Sequence, residues 1–331
     1  MSPRTYLSLF LLVNGAACGL PATEISWPSS LDRSTIRSAA DYLQPTVSGK
    51  TESATFGMVR EDGQRFHEGI DIKPSTRNAA GEPLDLIFSA MDGQVAYLNA
   101  NANGPYGKYV VLYHPRAEIP AYTLYAHLAK LEPSLKVNDP ISRGKVIGLM
   151  GHTSAGADAI TKDRSHLHFE VGVILSNSFN NWYAAQPENR GSPNLHGLWN
   201  GQNLMGMDPL PVLQYTHVNL LEIVRNQQTA LTVTMRTPRN PDFVRLYPML
   251  VQGDAAHAAG WYVEFSWQGM PIRWTALDAS SPKLPGNRWR VFEVDQSLRK
   301  LLVQRKMLAA DAKRAGDLLT QNVEILLSGG R

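Results

Sequence analysis

Two histidines separated by one leucine stand in the run at residues 165–171. The run alternates between polar and apolar side chains, and this pattern predicts a β-strand. Successive side chains of a strand point to opposite faces, so we expect His166 and His168 on one face. Two neighbouring imidazoles favour a shared metal ion, or different roles around one, and other segments have to supply the remaining groups.

The surrounding sequence has the short runs and turn signals that are typical of a β-rich domain. From Thr51 onward, short alternating runs are separated by turn-forming pairs such as Asp92-Gly93 and Arg143-Gly144. This spacing predicts a mainly β fold, an antiparallel β-sheet or sandwich, and not βαβ units. The predicted strands cover residues 94–98, 109–113, 123–128 and 145–149.

The N-terminus resembles a secretion signal. Arg4 precedes an apolar core at residues 7–13, which is too short for a membrane-spanning helix, and small residues follow. Cys18, the single cysteine, lies in the predicted cleavage region, so no intrachain disulfide is possible. It belongs either to an ordinary signal peptide or to a lipoprotein signal that keeps it as a lipid anchor. Gly15 stands where lipoprotein signals usually have leucine and favours the first alternative.

The charge balance limits the partners that we expect. A net charge of +3 suits an anionic polymer, but the chain has no Lys/Arg-rich block of the kind that binds nucleic acid. We therefore predict no nucleic-acid partner. We also predict no transmembrane helix in the mature chain. The sequence predicts no particular oligomeric state.

Two further segments complement the histidine pair. In the first, His67 and Asp71 are four residues apart, and Gly69 permits a bend that would let them converge. In the second, alternation predicts that His127 shares a face with Tyr125. Two imidazoles and a carboxylate would leave a fourth tetrahedral position for water, as in catalytic zinc sites. Non-haem iron uses the same ligand types and stays an alternative on this ground.

Three motifs, in the order in which they occur along the chain, resemble the signature of the lysostaphin/LytM-type zinc metalloendopeptidases, a family of peptidoglycan hydrolases. The motifs are His67-Glu68-Gly69-Ile70-Asp71, Tyr125-Ala126-His127-Leu128 and His166-Leu167-His168-Phe169-Glu170. The resemblance implies that His67, Asp71 and His168 bind zinc. It also implies that His127 and His166 are catalytic residues that flank the metal, orient the attacking water and stabilise the developing charge.

With this resemblance the chain divides into a signal peptide (1–22), a connector (23–50), a zinc metallopeptidase domain with an active-site groove (51–213) and a C-terminal β-rich domain (214–331). The resemblance implies a secreted or cell-envelope endopeptidase that hydrolyses peptide bonds of peptidoglycan stems or cross-bridges. One alternative is a non-catalytic wall-binding or hydrolase-activator protein on the same fold. Another is a zinc endopeptidase that cuts Gly-rich proteins. The complete set of five polar residues favours catalysis.

Some features depart from the family pattern. The loops at 73–84 and 153–164 are long, and we expect them to wall the groove. No tyrosine occurs shortly before His67, where some members have one that stabilises the transition state, so Tyr109 or Tyr125 is a candidate substitute. Glu170 is expected to hydrogen-bond a ligand from outside the metal's own shell.

Outside the motifs, periodicity predicts a few more elements. The connector should hold a short helix at 34–43. The C-terminal domain should hold strands near 231–235 and 261–267, a hairpin turn at Gln268-Gly269, a helix after Asp295 and a final strand at 322–327. Its aromatic residues could form a sugar-binding surface, but their alternation favours a buried core.

Overall fold

The computed structural model of the protein describes residues 22–155, 159–237, 239–310 and 314–329. The apolar signal core and Cys18 lie outside these residues. Within them, no helix is both long enough and apolar enough to span a lipid bilayer.

Strands dominate both halves of the chain. They are β1 (Thr23–Glu24), β2 (Gly57–Arg60), β3 (Arg65–His67), β4 (Ile70–Ile72), β5 (Leu86–Phe88), β6 (Gly93–Asn99), β7 (Tyr109–His114), β8 (Ala121–Ala126), β9 (Lys130–Leu131), β10 (Pro140–Ile141), β11 (Val146–Leu149), β12 (Leu167–Ile174), β13 (Leu204–Met207), β14 (His217–Val218), β15 (Leu231–Arg236), β16 (Val251–Gln252), β17 (Gly260–Phe265), β18 (Pro271–Leu277) and β19 (Trp289–Val294). The α-helices are α1 (Phe179–Ala185), α2 (Pro209–Gln214), α3 (Leu220–Arg225), α4 (Asp242–Leu246), α5 (Arg299–Gln304) and α6 (Asp317–Ser328). The predicted mainly β fold is confirmed.

The largest sheet is antiparallel and has the order β10-β6-β7-β8-β12-β13, with β4 also paired to β12. One edge of β12 pairs with β8, and the other edge pairs first with β4 and then with β13. In this register His168 lies opposite Asp71 on one side and opposite Ala126 on the other. The three sequence motifs are therefore brought together on three neighbouring strands.

The two faces of this sheet have different neighbours. Leu167, Phe169 and Tyr125 point into the main hydrophobic core, as strand alternation predicts for the first two. The opposite face, which carries His168, holds a second and smaller cluster that includes Leu124 and Ala126. Alternation had predicted that Tyr125 shares a face with His127, and this assignment was wrong, because Tyr125 lies in the main core.

The segment between β12 and β13 returns over the histidine-bearing face. The Tyr97 hydroxyl donates to the carbonyl of Leu195, and the Tyr97 and Tyr109 hydroxyls lie 3.0 and 2.9 Å from His196 Nδ1. Trp199 packs against the same small cluster. The segment therefore covers one end of this face.

The connector is packed onto the domain. It contains 3₁₀ turns at Arg33–Thr35 and Ala39–Asp41 in place of the predicted helix at 34–43. β1 pairs with β14. Farther along, the Gln44 N–H donates to the carbonyl of Asp71 and the Lys73 N–H donates to the carbonyl of Tyr42. These bonds extend the free edge of β4 and fix the backbone on which Asp71 stands.

The C-terminal residues form a five-stranded sheet of order β16-β18-β17-β15-β19, with α3, α4, α5 and α6 in the same part of the chain. The predicted hairpin is confirmed as β17 and β18. Trp261, Phe265 and Trp274 are fully buried, so these aromatics belong to the core. The final strand predicted at 322–327 was wrong, because these residues lie in α6. The main core contains residues of both halves, and the domain boundary near 213 stays a prediction.

Candidate metal centre

Three of the predicted side chains converge at buried positions. His67 Nε2 lies 3.1 Å from Asp71 Oδ1, His168 Nδ1 lies 3.1 Å from the same oxygen, and the two nitrogens are 3.0 Å apart. Among the residues that the structure describes, this is the group of His, Cys, Asp or Glu side chains whose ligand atoms could hold a metal ion together.

Local backbone packing brings β3 and β4 against β12. Gly69 lies between these two strands, and a Cβ at this position would be 2.2 Å from the carbonyl oxygen of Phe169. Only glycine allows so close a backbone approach. Because Gly69 has no side chain, the backbone between β3 and β4 can lie close to β12, and His67 and Asp71 can reach His168.

Each histidine of the site has its outer nitrogen anchored. The Nδ1–H of His67 donates to the carbonyl of Thr55, that of His127 to Thr153 and that of His166 to Arg164, at 2.8 to 2.9 Å. The outer nitrogen of His168 is Nε2, which donates to Glu170 Oε1 at 2.9 Å. The predicted hydrogen bond of Glu170 is therefore present. Such bonds fix the tautomer and leave the inner nitrogen to bind a metal or accept a proton.

His127 reaches the site through an unusual backbone conformation. It follows β8 with φ of 61°, in the left-handed region that non-glycine residues rarely adopt. This turn moves its ring off the face that strand alternation would give it. The ring centroid of His127 lies 4.8 Å from that of His166 and 5.8 Å from that of His168. All four predicted histidines and Asp71 therefore share one buried cluster.

Burial and charge shift the pKa values in this cluster. Burial lowers the pKa of His67 to about 4 and also lowers the pKa of His127 and His166. Burial opposes ionisation of Asp71, but the positive charges of neighbouring groups outweigh it and hold its pKa well below the usual range. Burial opposes protonation of His168 as well, yet its hydrogen bonds to two carboxylates raise its pKa to about 9. A metal bound at His168 Nδ1 would displace a proton.

Arg60 is a component of the cluster that the sequence reasoning missed. It ends β2, and its Nη2 lies 2.8 Å from His67 Nε2 and forms an ion pair with Asp71 Oδ2. Its Nε donates to the carbonyl of Ser53 at 3.2 Å. Arg60 stands seven residues before the first motif, and no periodicity of the sequence indicates which way its side chain points.

Tyr106 is a second missed neighbour. Its ring centroid lies 5.5 Å from that of His168, and its hydroxyl donates to Glu170 Oε1. The candidates named from the sequence lie elsewhere. Tyr125 is in the main core, where its hydroxyl accepts the N–H of Ala90, and the Tyr109 hydroxyl contacts His196. The preference for Tyr125 or Tyr109 beside the metal was therefore wrong.

The two long loops that we expected to wall the groove contact each other. The Arg77 guanidinium donates to the carbonyl of Lys162 at 2.8 Å, and the Lys162 ammonium forms a 3.2 Å ion pair with Glu82. The carbonyl of Thr153, in the second loop, anchors His127. One loop assembly therefore helps to position a residue of the site.

The donor atoms fit a zinc ion. Ligands placed about 2.0 Å from a tetrahedral zinc are about 3.3 Å from one another. The three separations of 3.0 to 3.1 Å are close to that value. Two imidazole nitrogens and one carboxylate oxygen are also the donor types of catalytic zinc sites.

Residues 65–181 match the family model of peptidase family M23. This segment is a peptidase family M23 domain. The matched range contains all five predicted site residues, whereas Arg60 precedes it and the C-terminal sheet follows it. No curated protein matches the chain significantly.

Solved structures of M23 and LytM-type proteins show weaker likenesses. A LytM protein from Ruminococcus gnavus is 21% identical, with 59% of this chain and 61% of that chain covered and a TM-score of 0.35. The catalytic domain of the antimicrobial peptidase lysostaphin from Staphylococcus simulans is 17% identical (49% and 88% covered, TM-score 0.29). A zinc-containing peptidase from Vibrio cholerae is 24% identical (46% and 37% covered, TM-score 0.30). The chain thus spans about three fifths of the length of the first of these relatives.

Proposed function

We propose that the protein is a zinc-dependent endopeptidase that hydrolyses peptide bonds of peptidoglycan stems or cross-bridges. One observation carries this proposal: four histidines, each anchored at its outer nitrogen, lie in one buried cluster with Asp71. The inner nitrogens of three of them lie 3.1 to 3.5 Å from Asp71 Oδ1, and the ring of the fourth, His127, packs against two of these histidines. A structural core has no need of so many inward-facing basic nitrogens, because buried polar groups are normally satisfied within the fold. The M23 domain match supports the peptidase class.

In this proposal His67, Asp71 and His168 hold the zinc. Zinc, when bound, acts as a Lewis acid toward the scissile carbonyl and makes a water molecule acidic enough to attack near neutral pH. Burial of all three ligands strengthens their electrostatic interaction with a cation, because the local dielectric is lower than that of water.

His127 and His166 move the proton. Burial lowers the pKa of both imidazoles, so they are neutral near pH 7 and their inner Nε2 atoms can accept the proton of the attacking water. The same Nε2–H can then be donated to the leaving amine. The carbonyls of Thr153 and Arg164 hold the two rings in this orientation throughout.

Several features support a polymeric wall substrate. The net charge of +3 suits an anionic polymer. The second of the linked loops anchors His127 through Thr153, and the segment before β13 contacts Tyr97 on the histidine-bearing face. We expect these two segments to border the groove that takes the substrate. The apolar N-terminal core, with Cys18 after it, is consistent with export to the cell envelope, either free or lipid-anchored.

The proposal is tested on purified peptidoglycan with the full mature chain. We expect release of free amines that a chelator abolishes and added zinc restores. His127→Ala should lower kcat/KM by about a hundredfold or more while zinc stays bound, since a proton-transfer group typically contributes that much. His257→Ala serves as the matched control, because His257 is exposed in the C-terminal part.

The outcomes separate the alternatives. Chelator-insensitive wall binding without released amines would indicate that the protein is a wall-binding or activator protein and not a peptidase. Cleavage of Gly-rich protein but not of peptidoglycan would indicate that the substrate is a Gly-rich protein. Mass spectrometry of products from defined muropeptides identifies the bond that is cut.

A further inference from the structure

Arg60 places a permanent positive charge against the predicted zinc ligands. Its Nη2 lies 2.8 Å from His67 Nε2 and is in contact with Asp71 Oδ2. The Arg60 side chain is 18% exposed, whereas that of Asp71 is 3% exposed, so the guanidinium reaches into the site from its solvent side. The guanidinium has five N–H donors and no acceptor, so it cannot itself be a metal ligand.

The contact with His67 excludes a metal at the same atom. The Nδ1–H of His67 is donated to Thr55, so Nε2 carries the single lone pair of this ring. That lone pair can accept an Arg60 N–H or bind a metal ion, but not both. Zinc binding at His67 therefore requires that Arg60 releases Nε2.

The contact with Asp71 is compatible with a bound metal. Oδ1 of Asp71 faces His67 and His168 at 3.1 Å, and Oδ2 faces Arg60. A metal can take Oδ1 while Oδ2 keeps its ion pair. The Nε of Arg60 is held by the carbonyl of Ser53, so the guanidinium stays close to the site after it leaves His67.

Like charges repel at this range, and the repulsion is strong in a buried site. A guanidinium that remains beside Asp71 opposes the binding of a dication to the same carboxylate. When no metal is bound, the same guanidinium satisfies His67 Nε2 and compensates Asp71, and so keeps the ligands in place.

We propose that Arg60 is an internal cation that substitutes for zinc on His67 and Asp71, holding the ligands together without metal and weakening the binding of the metal. The inference rests on the proposed zinc site. It does not depend on which bond the protein cleaves.

The test measures zinc binding and thermal stability of the full mature chain. The probe is zinc ion alone, titrated in competition with a chromophoric chelator. Arg60→Met should bind zinc at least tenfold more tightly than the unmodified protein. Its metal-free form should melt at a lower temperature, while its zinc-loaded form should melt close to the unmodified zinc-loaded protein. Arg65→Met is the matched control, because Arg65 lies on the same hairpin in an exposed ion pair with Glu61, and it should change neither quantity.

Arg60→Lys keeps the positive charge but lacks the planar guanidinium group, and it should bind zinc with intermediate affinity. This variant gives a second readout if Arg60→Met folds only with zinc. Zinc affinity that is equal or weaker in Arg60→Met, with zinc binding intact in the unmodified protein, overturns the inference and leaves the proposed function standing. Failure of the unmodified protein and of both Arg60 variants to bind zinc refutes the zinc site itself. Binding only after Arg60 is replaced supports the inference in its strongest form.

Discussion

Replacement of Glu170 by glutamine tests how the fold prepares His168 for a metal. The Glu170 carboxylate is buried and accepts hydrogen bonds from His168 Nε2, from the hydroxyl of Tyr106 and from the hydroxyl of Tyr122. In Glu170→Gln the remaining oxygen can face His168 and Tyr106, and the amide nitrogen can donate to the oxygen of Tyr122. The shape of the network is therefore preserved, and the change is mainly the loss of one negative charge.

The magnitude follows from the hydrogen bond to His168. A hydrogen bond to a charged group contributes about 1.5–3 kcal/mol, and one between neutral groups contributes about 0.5–1.5 kcal/mol. The difference is on the order of 1–1.5 kcal/mol, and about 1.4 kcal/mol corresponds to a tenfold change in an equilibrium constant. We therefore expect zinc to bind about tenfold more weakly to Glu170→Gln, at the lower end of the effects seen for partners of metal ligands.

The assay is competition with a chromophoric chelator at a fixed pH above the His168 pKa of about 9, where zinc does not have to displace a proton from His168. A second readout is kcat/KM at saturating zinc. Glu264→Gln is the control, because Glu264 is a half-buried carboxylate paired with Arg273 in the C-terminal sheet, away from the cluster. Zinc affinity in Glu170→Gln equal to that of Glu264→Gln would refute the role assigned to Glu170.

Two further predictions concern stability. Gly69→Ala should lower the free energy of unfolding by about 2–3 kcal/mol in chemical denaturation, because its Cβ would lie 2.2 Å from a backbone oxygen. The control, Gly286→Ala, has open space around the added methyl group and should be nearly neutral. An equal effect of the two substitutions would contradict the close approach at Gly69. Burial lowers the pKa of His114 to about 4 in the folded chain, so below its unfolded value of about 6.5 the unfolded chain binds more protons and stability is lost as the pH falls. The loss reaches about 2 kcal/mol at pH 5, and unfolding of the zinc-loaded protein between pH 7.5 and pH 5 should show a correspondingly smaller slope in His114→Gln; identical slopes would contradict it.

Much of the site could be predicted from local sequence. Strand alternation at 165–171 correctly places Leu167 and Phe169 in the core, because the period of a strand and its apolar side can be read from a few neighbouring residues. The grouping of Asp71 with His168 was implied by the family resemblance and not by local spacing, since it depends on the pairing of β4 with β12.

The errors have physical causes of a different kind. Alternation gives the wrong neighbours for His127 because its positive φ breaks the period at the end of β8. The run at 322–327 is rich in β-branched and apolar residues, but Leu319, Val323 and Leu326 follow helical spacing, and all three are buried in α6. A short apolar run is by itself consistent with a strand or a helix, and the spacing of buried residues over the longer segment identifies the helix.

Arg60 and Tyr106 were missed for a third reason. Their positions in the cluster depend on tertiary packing: Arg60 comes from a hairpin that ends beside His67, and Tyr106 comes from a turn that precedes β7. Neither residue lies in a repeated spacing or a recognisable motif. The same holds for the connector, whose backbone is paired to β4 by two hydrogen bonds that no local propensity indicates.

The zinc site can be observed directly in an anomalous difference map from crystals of the zinc-loaded protein, recorded on both sides of the zinc absorption edge. We expect one strong peak within bonding distance of His67 Nε2, Asp71 Oδ1 and His168 Nδ1, with His127 and His166 beside it but unbonded. A map without a peak among these three side chains, or a peak completed by a further protein ligand that closes the water position, would contradict it.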